Sequence, residues 1–174
     1  MTAPGVERVR SVEMSTITVA IVAGCCAGAD LETVLDADLR VAGDGATFSA
    51  AGVADPVACA QRLARLLGEA RAKEIILGAR TVGAAAALRL GLVTRVVPAA
   101  ALGETARALE DRLRSLPPLA LRAVRDAVRA ARELTPRGAL ALEHEHFRRL
   151  VTTQDHKAAV AAFFERREPA FIGK

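Results

Sequence analysis

The stretch AIVAGCCAGADLETVLDADLRVA, residues 20–42, decides how the rest of the chain is read. It continues the β-branched run that begins at Ile17, so that ITVAIVA (17–23) has the unbroken apolar character of a buried strand. Gly24 ends the run, and a small-residue loop, GCCAGA, follows. A short amphipathic helix then starts near Ala29 or Asp30 and runs toward Ala37. It places Leu31, Val34 and Leu35 on one face and Asp30 and Glu32 in the first turn, where the helix dipole favours negative charge. Leu39–Ala42 gives a second strand.

Outward from this unit, the GDG at 43–45 is a turn signal and Ala46–Ser49 returns as a third short strand. Asp55-Pro56 reads as an N-cap followed by proline at the first helical position, opening a helix with Leu63, Leu66 and Leu67 that stops at Gly68. Helices over Glu69–Leu77 and Ala84–Leu90 follow, closed by Gly78 and Gly91, and Leu92–Val97 forms a strand ended by Pro98. Beyond Ala100 the pattern is helical over roughly 102–115, 118–133, 137–151 and 154–167, punctuated by Pro117-Pro118, Pro136 and Pro169. The expected organisation is a polar lead-in at 1–16, an α/β core at 17–98 and an all-helical region at 99–174. Residues 1–15 fit a short helix or a frayed tail.

The chain has 174 residues, 52% of them apolar, enough for a real core. A net charge of +4 suits a small anionic partner if the cations converge. Nucleic acid is not expected, because there is no Trp or Tyr, only five Phe, and no finger or RNP-type pattern to supply stacking or base contacts. Cys25, Cys26 and Cys59 make an odd count with two adjacent members, which is no disulfide framework and points to a reducing cytoplasm. The N-terminal residues lack a continuous apolar signal region, and the Ile17–Ala29 stretch is too short to span a bilayer, so no membrane is expected.

Three stretches together resemble the crotonase (enoyl-CoA hydratase/isomerase) superfamily. Residues 20–42 resemble its strand, Gly-rich loop and helix leading to an Asp-x-Arg strand. ILGARTVGAAAALRLGLVTRVVP (76–98) is similar to its helix-to-strand signature. LPPLALRAVRDAV (116–128) and TTQDHKAAVAAFFERREPAFIGK (152–174) resemble its trailing helices. The resemblance implies a ββα spiral core without its N-terminal turns, followed by an all-helical region. It also implies an acyl-CoA thioester substrate with no further cofactor, and a homo-oligomer, a trimer or hexamer.

The implied chemistry stabilises an oxyanion formed on the thioester. Preorganised N–H donors aimed at that oxygen are worth about 3–4 kcal/mol each. By the resemblance one donor is Ala29, following Gly28, at a helix start whose dipole adds to it. On the residues alone, GCCAGA is equally well a tight loop chosen for close packing. Glu32 matches one of the family's two catalytic glutamates and would act as acid or base; the residues also allow a dipole-favoured surface acid. The second glutamate follows a Phe-x-x-Pro pattern, and here the corresponding stretch is Phe48-Ser49-Ala50-Ala51-Gly52, with Gly52 where the acid would stand. Asp55 could substitute, but its helix-capping role is the better reading. The partner donor lies in the N-terminal turns, so a catalytically impaired paralogue that binds acyl-CoA or serves an oligomer is the alternative function.

Arg166, Arg167 and Lys174 are the candidates for CoA phosphates, since the matching family segment lies over the cofactor portion of the substrate. Arg122, Arg125, Arg129 and Arg132 line one helix face, read as solvated, opposite Ala120, Val124, Ala127, Val128 and Ala131. Phe163, Phe164 and Phe171 are either core or part of a trimer contact, core being the better reading. Cys25 and Cys26 lack a neighbouring base and read as small apolar filler. His144-Glu145-His146 has the wrong spacing for a zinc site, and no metal is expected.

Overall fold

The computed structural model describes residues 9–14, 17–52 and 56–174. Asp55, the expected N-cap, lies outside them. The apolar run predicted as a buried strand is β2 (Ile17–Val22), preceded by β1 (Val9–Met14). The lead-in therefore contributes a strand, which neither sequence expectation for it included. β3 (Cys25–Ala27) follows, then helix α1 (Ala29–Asp36), β4 (Leu39–Gly43) and β5 (Thr47–Ser49). Helices α2 (Pro56–Leu67) and α3 (Glu69–Leu77), strand β6 (Val82–Gly83), helix α4 (Ala84–Leu90) and strand β7 (Arg95–Val97) complete the mixed part.

The strands form two sheets, ordered β1-β2-β4-β7 and β3-β5-β6. β2 and β4 run parallel with Val19 opposite Leu39, and β3 and β5 run parallel with Cys25 opposite Thr47. Each turn of the chain thus lays one strand in each sheet and returns 20 to 22 residues later. This corrects two expectations. GCCAGA is not all loop, since Cys25–Ala27 pairs with Thr47–Ser49. β5 does not fold back on β4 as a hairpin but adds to the second sheet, with β6 antiparallel on its other side. Leu92 and Val93 are buried as predicted for a strand, yet only Arg95–Val97 pairs, parallel to β4.

One hydrophobic cluster joins these elements: Val22 and Cys26 from the strands, Leu31 and Val34 from α1, Phe48 from β5 and Leu63 from α2 are each 1% exposed or less. Arg40 is also buried. Its Nε donates to the Leu92 carbonyl at 2.8 Å and a terminal nitrogen donates to the Ala37 carbonyl at 2.6 Å, so the charge ends α1 and pins the approach to β7. Asp38 closes the other side by accepting the Thr18 N–H at 2.9 Å. The Asp-x-Arg pattern is thus a structural clasp.

The chain divides into two compact units, one holding Thr18–Ala108 and the other Leu109–Lys174. The second contains the C-terminal part of α5 (Leu102–Arg114) and all of α6 (Pro118–Ala130), α7 (Pro136–Leu150) and α8 (Gln154–Glu165). Thr135 and Thr153 cap α7 and α8, accepting from Gly138 and His156 N–H. Phe163 and Phe164, read as core, are each 78% exposed and stack edge to face on one another. Val124 and Val128 on the apolar side of α6 are exposed as well. Periodicity defines an apolar face without fixing what covers it.

Candidate functional site

The loop before α1 owes its shape to Gly28. Its φ of 59° and ψ of −131° suit glycine, its N–H donates to the Ala51 carbonyl at 3.1 Å, and a Cβ there would stand 2.9 Å from the Gly52 carbonyl oxygen. The unusual backbone is therefore one residue before Ala29, which sits in the first helical turn with no positive φ. Gly28 has no side chain to cap the helix, and its carbonyl accepts from Leu31 and Glu32 N–H, at 3.1 and 3.4 Å. Among the described residues the N–H of Ala29 has no acceptor, and the residue is exposed. A free donor at a helix start is the local geometry that favours an anion.

Glu32 lies one turn further on the same helix and is half-buried. Among the described residues its Oε1 is buried without a hydrogen-bond partner. A carboxylate oxygen in that condition calls for a donor from a water or a ligand. α1 packs against α2, where Arg62 pairs with Asp36 at 2.9 Å. Burial, and then the charge of Glu32, push the Cys59 thiol on α2 upward, with Arg62 working the other way. Burial, with help from Asp30 and Cys25, pushes the Cys26 thiol up to about 12, so neither buried cysteine resembles an activated nucleophile.

Gly52, standing where the resemblance places a second acid, is exposed at φ 72° with open space around it. In the helical unit, Arg166 ends α8 in the left-handed conformation and is exposed, while Arg167 is engaged by Glu165. The main-chain oxygen of Lys174 accepts from the N–H groups of Gln154 and Asp155 at 2.6 and 3.2 Å. Asp155, 3% exposed, completes this closure by accepting from Ile172 and Gly173 N–H at 2.8 and 3.0 Å. That anchor was not read from the sequence; a polar residue just after a capping threonine was the available signal.

A family model for enoyl-CoA hydratase/isomerase matches residues 4–174. The chain belongs to this family. It is 38% identical over 160 residues to a probable enoyl-CoA hydratase of Mycobacterium tuberculosis, covering 90% of this chain and 62% of that one. It is 32% identical over 160 residues to 2,3-dehydroadipyl-CoA hydratase of Escherichia coli, covering 90% of this chain and 63% of that one. A solved enoyl-CoA hydratase from Bacillus anthracis superposes with a TM-score of 0.80 at 31% identity, covering 88% of this chain and 62% of that one. The chain thus spans about three-fifths of the length of the curated relatives it matches. The crotonase fold expected from the three motifs is the fold observed. No helix among the described residues is long and apolar enough to cross a membrane.

Proposed function

We propose that this crotonase-family chain binds an acyl-CoA thioester and stabilises an oxyanion on it, using the N–H of Ala29 as one donor and Glu32 as acid or base. The observation that carries this reading is the pairing, one helical turn apart, of an N–H without an acceptor and a buried carboxylate oxygen without a donor among the described residues. Developing negative charge on the thioester oxygen would take up the first, next to the positive end of α1, with Gly28 fixing the direction of the peptide. Water or the substrate's α-carbon proton would engage the second. The chemistry asks for no resident cofactor. Arg166, Arg167 and Lys174 are offered for the CoA phosphates, and Arg167 would have to exchange its Glu165 partner for phosphate. The homo-oligomer and the cytoplasmic setting are carried over from the family resemblance and the free cysteines.

The test is turnover of crotonyl-CoA followed by loss of the enoyl absorbance. Glu32→Gln is expected to lower the rate at least tenfold with an unchanged circular dichroism spectrum. Equal rates would remove Glu32 from the mechanism.

Gly52 favours a second reading, a catalytically impaired relative that keeps acyl-CoA binding or an assembly role. A left-handed glycine facing open space offers no group to manage the second proton transfer. No turnover together with saturable CoA binding by calorimetry would select the binder; no heat at millimolar CoA would select the assembly role.

A further inference from the structure

We propose that the helical unit carries, between α6 and α7, a binding site for a small phosphate-class oxyanion, independent of the acyl-thioester reading. A cavity of about 260 Å³ opens there, lined on one side by Arg122 and Asp126 of α6 and on the other by His146 and Arg149 of α7, with Thr153 at its end. The Nε2 of His146 is buried and has no hydrogen-bond partner among the described residues. Leaving such a nitrogen unmatched costs the desolvation of a polar group, so a partner that enters the cavity is favoured.

The other polar groups say which sign of partner fits. Asp126 is already engaged by Arg125, whose Nε and terminal nitrogen reach its Oδ1 at 3.3 and 3.2 Å. The Thr153 hydroxyl donates to the Leu150 carbonyl at 2.7 Å and accepts from His156 N–H at 3.1 Å, so it is committed to capping α8. Arg149 is held by Glu145, but a guanidinium has five N–H donors and one carboxylate does not use them all. Arg122 makes no ion pair among the described residues and is exposed. Two guanidinium groups and, with its proton on Nε2, one imidazole thus line one space from two helices. A planar carboxylate offers two oxygens to a single fork, whereas a tetrahedral phosphate offers acceptors in three or more directions and matches this arrangement better.

The experiment is a calorimetric titration of the full chain with inorganic phosphate, a phosphate monoester and acetate, at ionic strength held constant with chloride. Saturable one-to-one binding of either phosphate species, at least tenfold tighter than acetate, is expected. A tighter ester identifies an organic ligand, and tighter inorganic phosphate identifies the free anion; both support the site. Arg122→Ala should weaken binding at least tenfold, Arg122→Lys and His146→Gln about threefold each, and Arg137→Ala, on α7 away from the cavity, should change nothing. Circular dichroism melts establish that each variant is folded, and the lysine variant keeps the test valid if the alanine variant is not. Absence of saturable heat, equal affinity for acetate, or equal affinity in all four variants would overturn the proposal.

Discussion

The α/β unit and the helical unit spend their apolar residues differently. In the first, Leu31, Val34, Phe48 and Leu63 are all but sealed, and Leu77 and Leu88 are its exposed large apolar residues among those described. In the second, α6, α7 and α8 leave Val124, Val128, Leu140, Phe147, Phe163 and Phe164 open to solvent. Two interleaved sheets with α1 and α2 upon them form a closed layer arrangement, so each side chain meets neighbours on several sides. Successive helices with alanine-rich contacts bury one stripe and leave another over. Apolar side chains therefore stabilise the first unit by burial, while many in the second contribute little to its own stability.

The largest expected effect lies in the sealed unit. Leu63, 0% exposed in the centre of the cluster, should lose about 2–5 kcal/mol on replacement by alanine, through lost burial and a cavity the two sheets cannot close. Urea unfolding followed by circular dichroism reads this directly. A loss below about 1 kcal/mol would mean that the cluster relaxes freely and that the contrast between the units is false.

A smaller pair of effects separates conformational freedom from close approach. Gly28 and Gly52 both have positive φ, 59° and 72°. Only Gly28 is also crowded, with the Gly52 carbonyl oxygen 2.9 Å from its virtual Cβ. Gly52→Ala should cost ~1 kcal/mol, the left-handed strain alone. Gly28→Ala should cost ~2–3 kcal/mol, since the loop must also move. Equal losses would remove the close approach from the account.

Much of this contrast was legible in the residues. The i, i+3, i+4 spacing of Leu31, Val34 and Leu35 announced α1, and Gly68 and Gly91 marked helix ends that the backbone confirms with φ of 85° and 81°. β3 was hidden because three small residues, Cys25–Ala27, have no period to detect, and their partner lies 22 residues away. At the candidate site, the glycine loop and the acid after it could be named from the sequence. That one oxygen of Glu32 is buried while Ala29 remains exposed depends on α2 packing over α1, which is a tertiary fact. Phe163 and Phe164 misled for the same reason: hydrophobicity ranks a side chain for burial but does not supply the surface that buries it.

Alkali offers a test confined to the sealed unit. Burial raises the Cys26 thiol to about 12, above its ordinary 9.0, so the folded state holds the proton more firmly than the unfolded chain. The stability this provides is complete below about pH 9 and is lost as the pH rises toward 12. Urea midpoints should therefore fall across that interval, and Cys26→Ala should flatten the fall beyond any uniform loss it causes. Exposed Cys25 should meanwhile react rapidly with a thiol reagent in the native protein, whereas Cys26 and Cys59 wait for unfolding.

The smallest effect belongs to the open face. Val128 is 64% exposed, so Val128→Thr has little burial to remove and introduces a hydroxyl that water can satisfy. Its unfolding free energy should stay within ~0.5 kcal/mol of the parent. The decisive variable is protein concentration. A surface covered by association gains stability as concentration rises, and a surface that simply faces water does not. A penalty for Val128→Thr that is negligible in dilute solution and grows with concentration would show that the apolar stripe of the helical unit is buried by another molecule. The contrast between the two units would then be one of when their apolar residues are covered, during folding for the first and after it for the second.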